Sequence, residues 1–239
     1  MKRRFIVSTT LLFLLAGINL VIAQDEAVVT SVSEAAEGLD LQAISELFKE
    51  SEDLESFEKA LNDSDVGVNN LDLDENGEVD FIRVVEEATD DLHVIVLQVC
   101  LGKDEFQDVA TIEVEKTGEE SYNMQVRGNE ELYGVDYYVA PTVVRIHTWP
   151  IIARIYAPRY RPYRSRYYWG FYPNWWRPRR PVVVNVYRTR LVRYRTRPSF
   201  VVTKTGRITT IHKVKYQPRR STLVKKRVIV RPAPRRRRR

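Results

Sequence analysis

Charge in this chain is sorted by position, and that sorting constrains its folding more than any other feature. All 32 Asp and Glu lie between residues 24 and 136 beside only six bases, Lys49, Lys59, Arg83, Lys103, Lys116 and Arg127, a net of −26. Residues 137–239 hold no acid and 29 Lys and Arg, a contrast that the formal net charge of +6 conceals. Neither half can neutralise itself locally, so a compositional boundary is expected near 137–150. Either the halves neutralise each other, within or between molecules, or the basic half meets a foreign polyanion.

The start of the chain points to export. Lys2-Arg3-Arg4 precedes a mostly apolar run from Phe5 to Leu20 and then Val21-Ile22-Ala23, the pattern of a signal peptide over 1–23. Cleavage after Ala23 leaves Gln24 first, with no cysteine placed to carry a lipid, and predicts a secreted or periplasmic protein. The apolar run is short for a membrane span, and no other segment reads as one. The single cysteine, Cys100, cannot close an internal disulfide; within Leu92–Leu101, a run apolar on both faces, it reads as a small core residue.

The acidic part, 24–138, predicts an α+β domain. Asp40 can cap a helix carrying Leu41, Ile44, Leu47 and Phe48, and Ser51 a second carrying Leu54, Phe57, Ala60 and Leu61. Isolated helices of this length are marginal and need a surface to cover. Phe81–Glu86, Leu92–Leu101, Val109–Glu115 and Tyr122–Arg127 read as strands whose short connections force an antiparallel meander. In the third, Ala110, Ile112 and Val114 alternate with Thr111, Glu113 and Glu115, which predicts one wet face.

Between helices and strands lies Asp72-Leu73-Asp74-Glu75-Asn76-Gly77-Glu78-Val79-Asp80. Side-chain oxygens from Asp72, Asp74, Asn76 and Asp80, with Glu78 contributing at the seventh position and Gly77 making the turn, suit a hard cation, and calcium is the candidate. In these dozen residues the loop resembles the EF-hand and dockerin class of calcium loops. It departs from the class at position 12, where Arg83 stands in place of a bidentate acid, and in being followed by β-type residues instead of a helix. The alternative is a solvated Asp-rich turn in which Arg83 belongs to a strand and pairs with a carboxylate on a neighbouring strand.

The wording of the acidic part, including Asn70-Leu71-Asp72-Leu73-Asp74, Val79-Asp80-Phe81-Ile82-Arg83-Val84 and Gln107-Asp108-Val109-Ala110-Thr111-Ile112, resembles a group of uncharacterised secreted proteins from Bacteroidota-type bacteria. That resemblance implies a compartment and an architecture, not a reaction.

From 139 to 181 the chain is a low-complexity Tyr/Trp/Pro/Arg-rich segment, and prolines at 150, 158, 162, 173, 178 and 181 forbid a long helix. Here Arg154, Arg159, Arg161, Arg164, Arg166, Arg177, Arg179 and Arg180 are interleaved with Tyr156, Tyr160, Tyr163, Tyr167, Tyr168, Trp169, Phe171, Tyr172, Trp175 and Trp176. Guanidinium groups fork onto phosphate, sulfate and carboxylate while aromatic faces stack on bases or sugars, a combination suited to anionic polymers without sequence readout. A further reading places Val143–Tyr156 in a membrane interface.

From 182 to 239 runs a polybasic tail with short β-type stretches, Val182–Tyr187, Phe200–Thr203 and Ile208–Ile211, the last two flanking a hairpin candidate at 204–207. It ends in Arg235, Arg236, Arg237, Arg238 and Arg239. With no acid of its own it is expected to stay extended and disordered unless an anion neutralises it.

Catalytic patterns are missing from the sequence. His93, His147 and His212 are far apart, none sits at metal-ligand spacing, and no phosphate loop or nucleophile elbow occurs. The expectation is an exported, non-enzymatic protein whose cationic aromatic half binds an anionic polymer, extracellular nucleic acid, acidic polysaccharide or envelope lipid headgroups. The competing expectation is self-assembly through the opposite charges of neighbouring molecules.

Overall fold

A computed structural model describes residues 35–225 apart from 144, 197 and 198. The signal segment and Arg235–Arg239 lie outside the described residues. The structure is α+β: short helices, then a six-stranded antiparallel sheet in the order β1-β2-β3-β4-β5-β6.

Helix α1 (Leu41–Glu50) begins at Asp40, whose carboxylate accepts the N–H groups of Gln42 and Ala43. Helix α2 (Leu54–Asn62) is capped by Asp53, not by Ser51, because Ser56 completes a reciprocal capping box with Asp53. Their apolar stripes meet edge to face through Phe48 and Phe57, at 5.4 Å and 85°.

Strands β1 (Ile82–Ala88), β2 (Leu92–Gly102), β3 (Glu105–Lys116) and β4 (Tyr122–Gly128) form the expected meander. A register shift after Leu97 gives β3 one extra residue. One face carries Ile82, Val84, Ile95, Leu97, Ile112, Val114, Met124 and Val126 into the main core beneath α1 and α2. The other face is covered too: Val85, Leu92, Val94 and Val96 meet Ile208 and Val214. Glu113 is therefore fully buried and not wet, its carboxylate taken by Thr111, Gln125 and Arg127. Gln125 in turn accepts the N–H groups of Arg207 and Ile208, which pins the later chain to this face.

The compositional boundary is not a boundary in the sheet. β5 (Tyr138–Pro141) pairs with β4 on one side and with β6 (Phe200–Thr203) on the other. Short helices α3 (Glu130–Tyr133), α4 (Pro150–Ile155), α5 (Val184–Arg190) and α6 (Val192–Arg195) complete the chain. In α4, Ile151, Ile152 and Ile155 are buried in the main core beside Trp149, so this stretch covers protein and not a membrane interface. Val182–Tyr187 is not a strand; most of it forms α5, which turns Tyr187 into the core, where its hydroxyl donates to the Val68 carbonyl and accepts the Asp40 N–H. Ile208–Ile211 is likewise loop and a 3-10 turn, so no hairpin forms at 204–207.

The second half, expected to be extended, is folded onto the first over its described residues up to 225: Ile151, Ile152, Tyr187, Leu191 and Phe200 enter the main core, and the first half supplies counter-ions. Arg164 pairs with Glu87, Arg188 with Glu37, Arg195 with Asp40 and Arg220 with Glu131. Among the described residues no helix is long and apolar enough to cross a membrane.

Candidate anion-binding edge and the acidic loop

β1 is the outer strand of the sheet, and the arginine–tyrosine segment runs along it. Glu86 N–H donates to the Tyr163 carbonyl and Ser165 N–H to the Val84 carbonyl, around an antiparallel bridge between Val85 and Arg164. An exposed edge invites pairing with other chains, and here it is covered. Alternation along an extended segment sets the direction of each side chain. Tyr163, Ser165 and Tyr167 face inward, while Pro162, Arg164, Arg166 and Tyr168 are exposed. The outward row thus sets two guanidinium groups before an aromatic ring.

The inward row is held by two buried carboxylates. Glu86 lies 2.6 Å from Nδ1 of His93 and accepts the Tyr160 hydroxyl at 2.6 Å and the Tyr163 N–H at 2.7 Å. Glu58 accepts the Val84 N–H at 2.6 Å and the Tyr163 hydroxyl at 3.3 Å. Burial pushes its carboxyl up from 4.5 to about 7, against the pull of those hydrogen bonds and of Arg83.

Beyond Tyr168 the chain makes a tight aromatic turn. Tyr168 and Phe171 stack at 5.2 Å around Gly170, whose φ of 77° lies in the left-handed region. Tyr168, Trp169, Phe171 and Trp175 stay 42–55% exposed, whereas Phe81, Tyr172 and Trp176 form a support beneath them. Four exposed rings thus lie side by side over an aromatic support.

The predicted arginines divide by role. Arg154, Arg159 and Arg161 line one cleft between α2 and the 157–161 turn, and among the described residues none of them forms an ion pair. Arg164 keeps its side chain 60% exposed despite its pair with Glu87, and Arg166 and Arg180 are exposed. Arg177 donates to the carbonyls of Asn174 and Trp176. Arg179 turns inward to the Asn69 carbonyl at 2.6 Å, and burial lowers its guanidinium pKa. Arg179 is thus a structural clamp.

The acidic loop is closed on itself. Asp72 accepts the N–H groups of Asn76 and Gly77, Asp74 that of Asn76, and Asn76 that of Glu78. Gly77, at φ 85°, supplies the turn assigned to it. Asp80 is buried and accepts the Leu73 N–H at 2.7 Å; burial, aided by Asp72 and Asp74, raises its carboxyl to about 8. Glu78 is exposed. Among the described residues no group of three His, Cys, Asp or Glu is gathered as metal ligands.

Arg83 sits in β1 opposite Gln98, and among the described residues the expected carboxylate partner on a neighbouring strand is absent. Its guanidinium donates to the Ser165 carbonyl at 3.1 Å and lies 5.5 Å from the centre of the Phe106 ring. The Arg83 side chain is thereby engaged by Ser165 and Phe106.

Sequence reasoning missed Glu58, Glu86 and His93. Glu58 carried a signal, since it lies on the inward stripe with Leu54, Phe57 and Leu61. Glu86 and His93 carried none, because their meeting depends on the β1–β2 register.

The fold and the edge together define an α+β protein with a covered outer strand and a basic aromatic surface. No family model matches the chain, and neither a curated protein nor a solved structure was found similar to it.

Proposed function

We propose that this is an exported, non-enzymatic binding protein that holds an anionic polymer along its β1 edge. The observation that carries the reading is the outward row Arg164, Arg166 and Tyr168 leading onto the exposed rings of Trp169, Phe171 and Trp175. Guanidinium groups meet phosphate, sulfate or carboxylate, and the rings stack on bases or sugars. Extracellular nucleic acid, acidic polysaccharide and envelope lipid headgroups all carry the required charge.

The test is retention on heparin and on single-stranded DNA at increasing salt. Wild type should show a steep linear fall of log affinity with log salt, and replacing Arg164 and Arg166 by Gln should lower the slope by about two. Trp169→Ala with Trp175→Ala should weaken binding at every salt concentration. Affinity unchanged in these variants and lost on removing Arg235–Arg239 alone would overturn the edge as the site.

Self-assembly is the competing reading, favoured by the density of opposite charge but left with fewer free charges by the four pairs made within one chain. Light scattering that reports salt-sensitive association of the purified chain would favour it. Calcium at Asp72, Asp74 and Asn76 is part of our proposal as a stabilising guest of the loop, supported by the convergence of the Asp72 and Asp74 carboxylates on the Asn76 N–H. Binding there requires those oxygens to exchange backbone N–H groups for the ion.

A further inference from the structure

The cleft at the head of the edge holds opposite charges that do not meet. It has a volume of about 350 Å³, with Asp53 and Glu55 from the start of α2 among its lining residues together with Arg154, Arg159 and Arg161. Elsewhere on this molecule four arginines of the second half pair with carboxylates of the first, as Arg164 does with Glu87 and Arg195 with Asp40. No ion pair joins the two sets of charges lining this cleft, among the described residues.

The cleft is also held in place. Tyr160 and Tyr163, which line it too, have their hydroxyls fixed on the buried carboxylates Glu86 and Glu58. Arg159 takes φ 65°, a left-handed conformation that an arginine seldom adopts, in a turn closed by the Tyr160 N–H on the Ala157 carbonyl. Separated charges of both signs over a hydrogen-bonded base complement a ligand that carries both. At about 30 Å³ per water the space equals roughly a dozen waters, enough for a small molecule.

We infer that this cleft binds a compact zwitterion, an anionic phosphate or carboxylate beside a primary ammonium. The arginines fork the anion, and Asp53 and Glu55 accept from the ammonium. Such a unit occurs free or as a lipid headgroup, and the inference stands apart from polymer binding on the β1 edge.

Calorimetric titration of the full chain with O-phosphoethanolamine, inorganic phosphate and ethanolamine tests it. Phosphoethanolamine should bind at least tenfold more tightly than either fragment. Asp53→Asn with Glu55→Gln keeps an N-cap oxygen on α2 and should abolish the preference over phosphate while phosphate still binds. Arg159→Asn with Arg161→Gln, where Asn tolerates the left-handed backbone, should abolish binding of both. Competition by phosphatidylethanolamine vesicles supports a lipid headgroup as the source, and binding without such competition supports a free zwitterion. Equal affinity for phosphoethanolamine and phosphate in wild type, no saturable binding, or a preference that survives Asp53→Asn with Glu55→Gln would overturn the inference. These variants leave Arg164, Arg166 and Trp169 intact, so polymer retention and zwitterion binding fail separately.

Discussion

Replacing Glu58 by Gln should make the protein more stable at pH 8 and leave it nearly unchanged at pH 5. The wild-type carboxyl is 2% exposed, and burial raises it from 4.5 to about 7. The folded chain therefore binds this proton more tightly than the unfolded chain does. Between 4.5 and about 7 the folded state holds the extra proton, so stability is fully present below that window and is lost as pH rises through it. At about 1.4 kcal/mol per pH unit, the loss is roughly 3 kcal/mol. Glutamine can still accept from the Val84 N–H without ionising, so it escapes the loss. Asp72, Asp80 and Asp108 are also raised by burial and contribute with the same sign. The informative quantity is thus the difference between variant and wild type, not either curve alone. Urea denaturation from pH 5 to pH 8 should show that difference growing by about 2–3 kcal/mol in favour of the variant. A difference that stays flat across the range would refute the argument, since a carboxyl already ionised in the fold at pH 5 has no such window.

Tyr187→Phe deletes a hydroxyl that bridges the Asp40 N–H and the Val68 carbonyl, and urea titration should show a loss of about 1–3 kcal/mol; an unchanged midpoint would mean that α5 is not anchored there. Millimolar calcium should raise the melting temperature more than magnesium does, and Asp72→Ala should remove the effect, whereas identical melting in calcium and in chelator would discard the loop as a site. Arg83→Glu, which in a calcium loop would restore the missing acid, should not raise calcium affinity, because Arg83 faces Ser165 and Phe106. It should cost about 1–3 kcal/mol in urea titration, and a tenfold gain in calcium affinity would reverse this reading of the loop.

What was legible in the sequence was whatever short-range pattern decides. Asp40 and the 3.6-residue spacing of Leu41, Ile44, Leu47 and Phe48 fix α1, and β-branched runs with tight turns fix the four-strand meander. Errors began where a partner distant in sequence decides the outcome. Thr111 and Glu113 promised a wet face, yet Gln125, Arg127 and the chain at 207–208 bury them. Val182–Tyr187 looked like a strand by composition, but docking Tyr187 between Asp40 and Val68 rewards a helical turn. The charge sorting misled most. An acid-free stretch reads as disordered when its neighbours in sequence are counted, whereas Arg195 finds Asp40 across 155 positions and Arg164 finds Glu87 across 77. Each such pair contributes little at the surface, on the order of a few tenths of a kcal/mol. Charge alone therefore cannot hold 139–225 in place. The buried side chains of Ile151, Ile152, Tyr187, Leu191 and Phe200 do that, and the opposite charges set which face of the acidic part they approach. Arg166 at the β1 edge and the arginines around the cleft take no part in these pairs among the described residues, and Arg164 stays largely exposed despite its pair, so a partner reaches these side chains first; nothing in the local sequence marks them, because the pairs that set them apart span the whole chain.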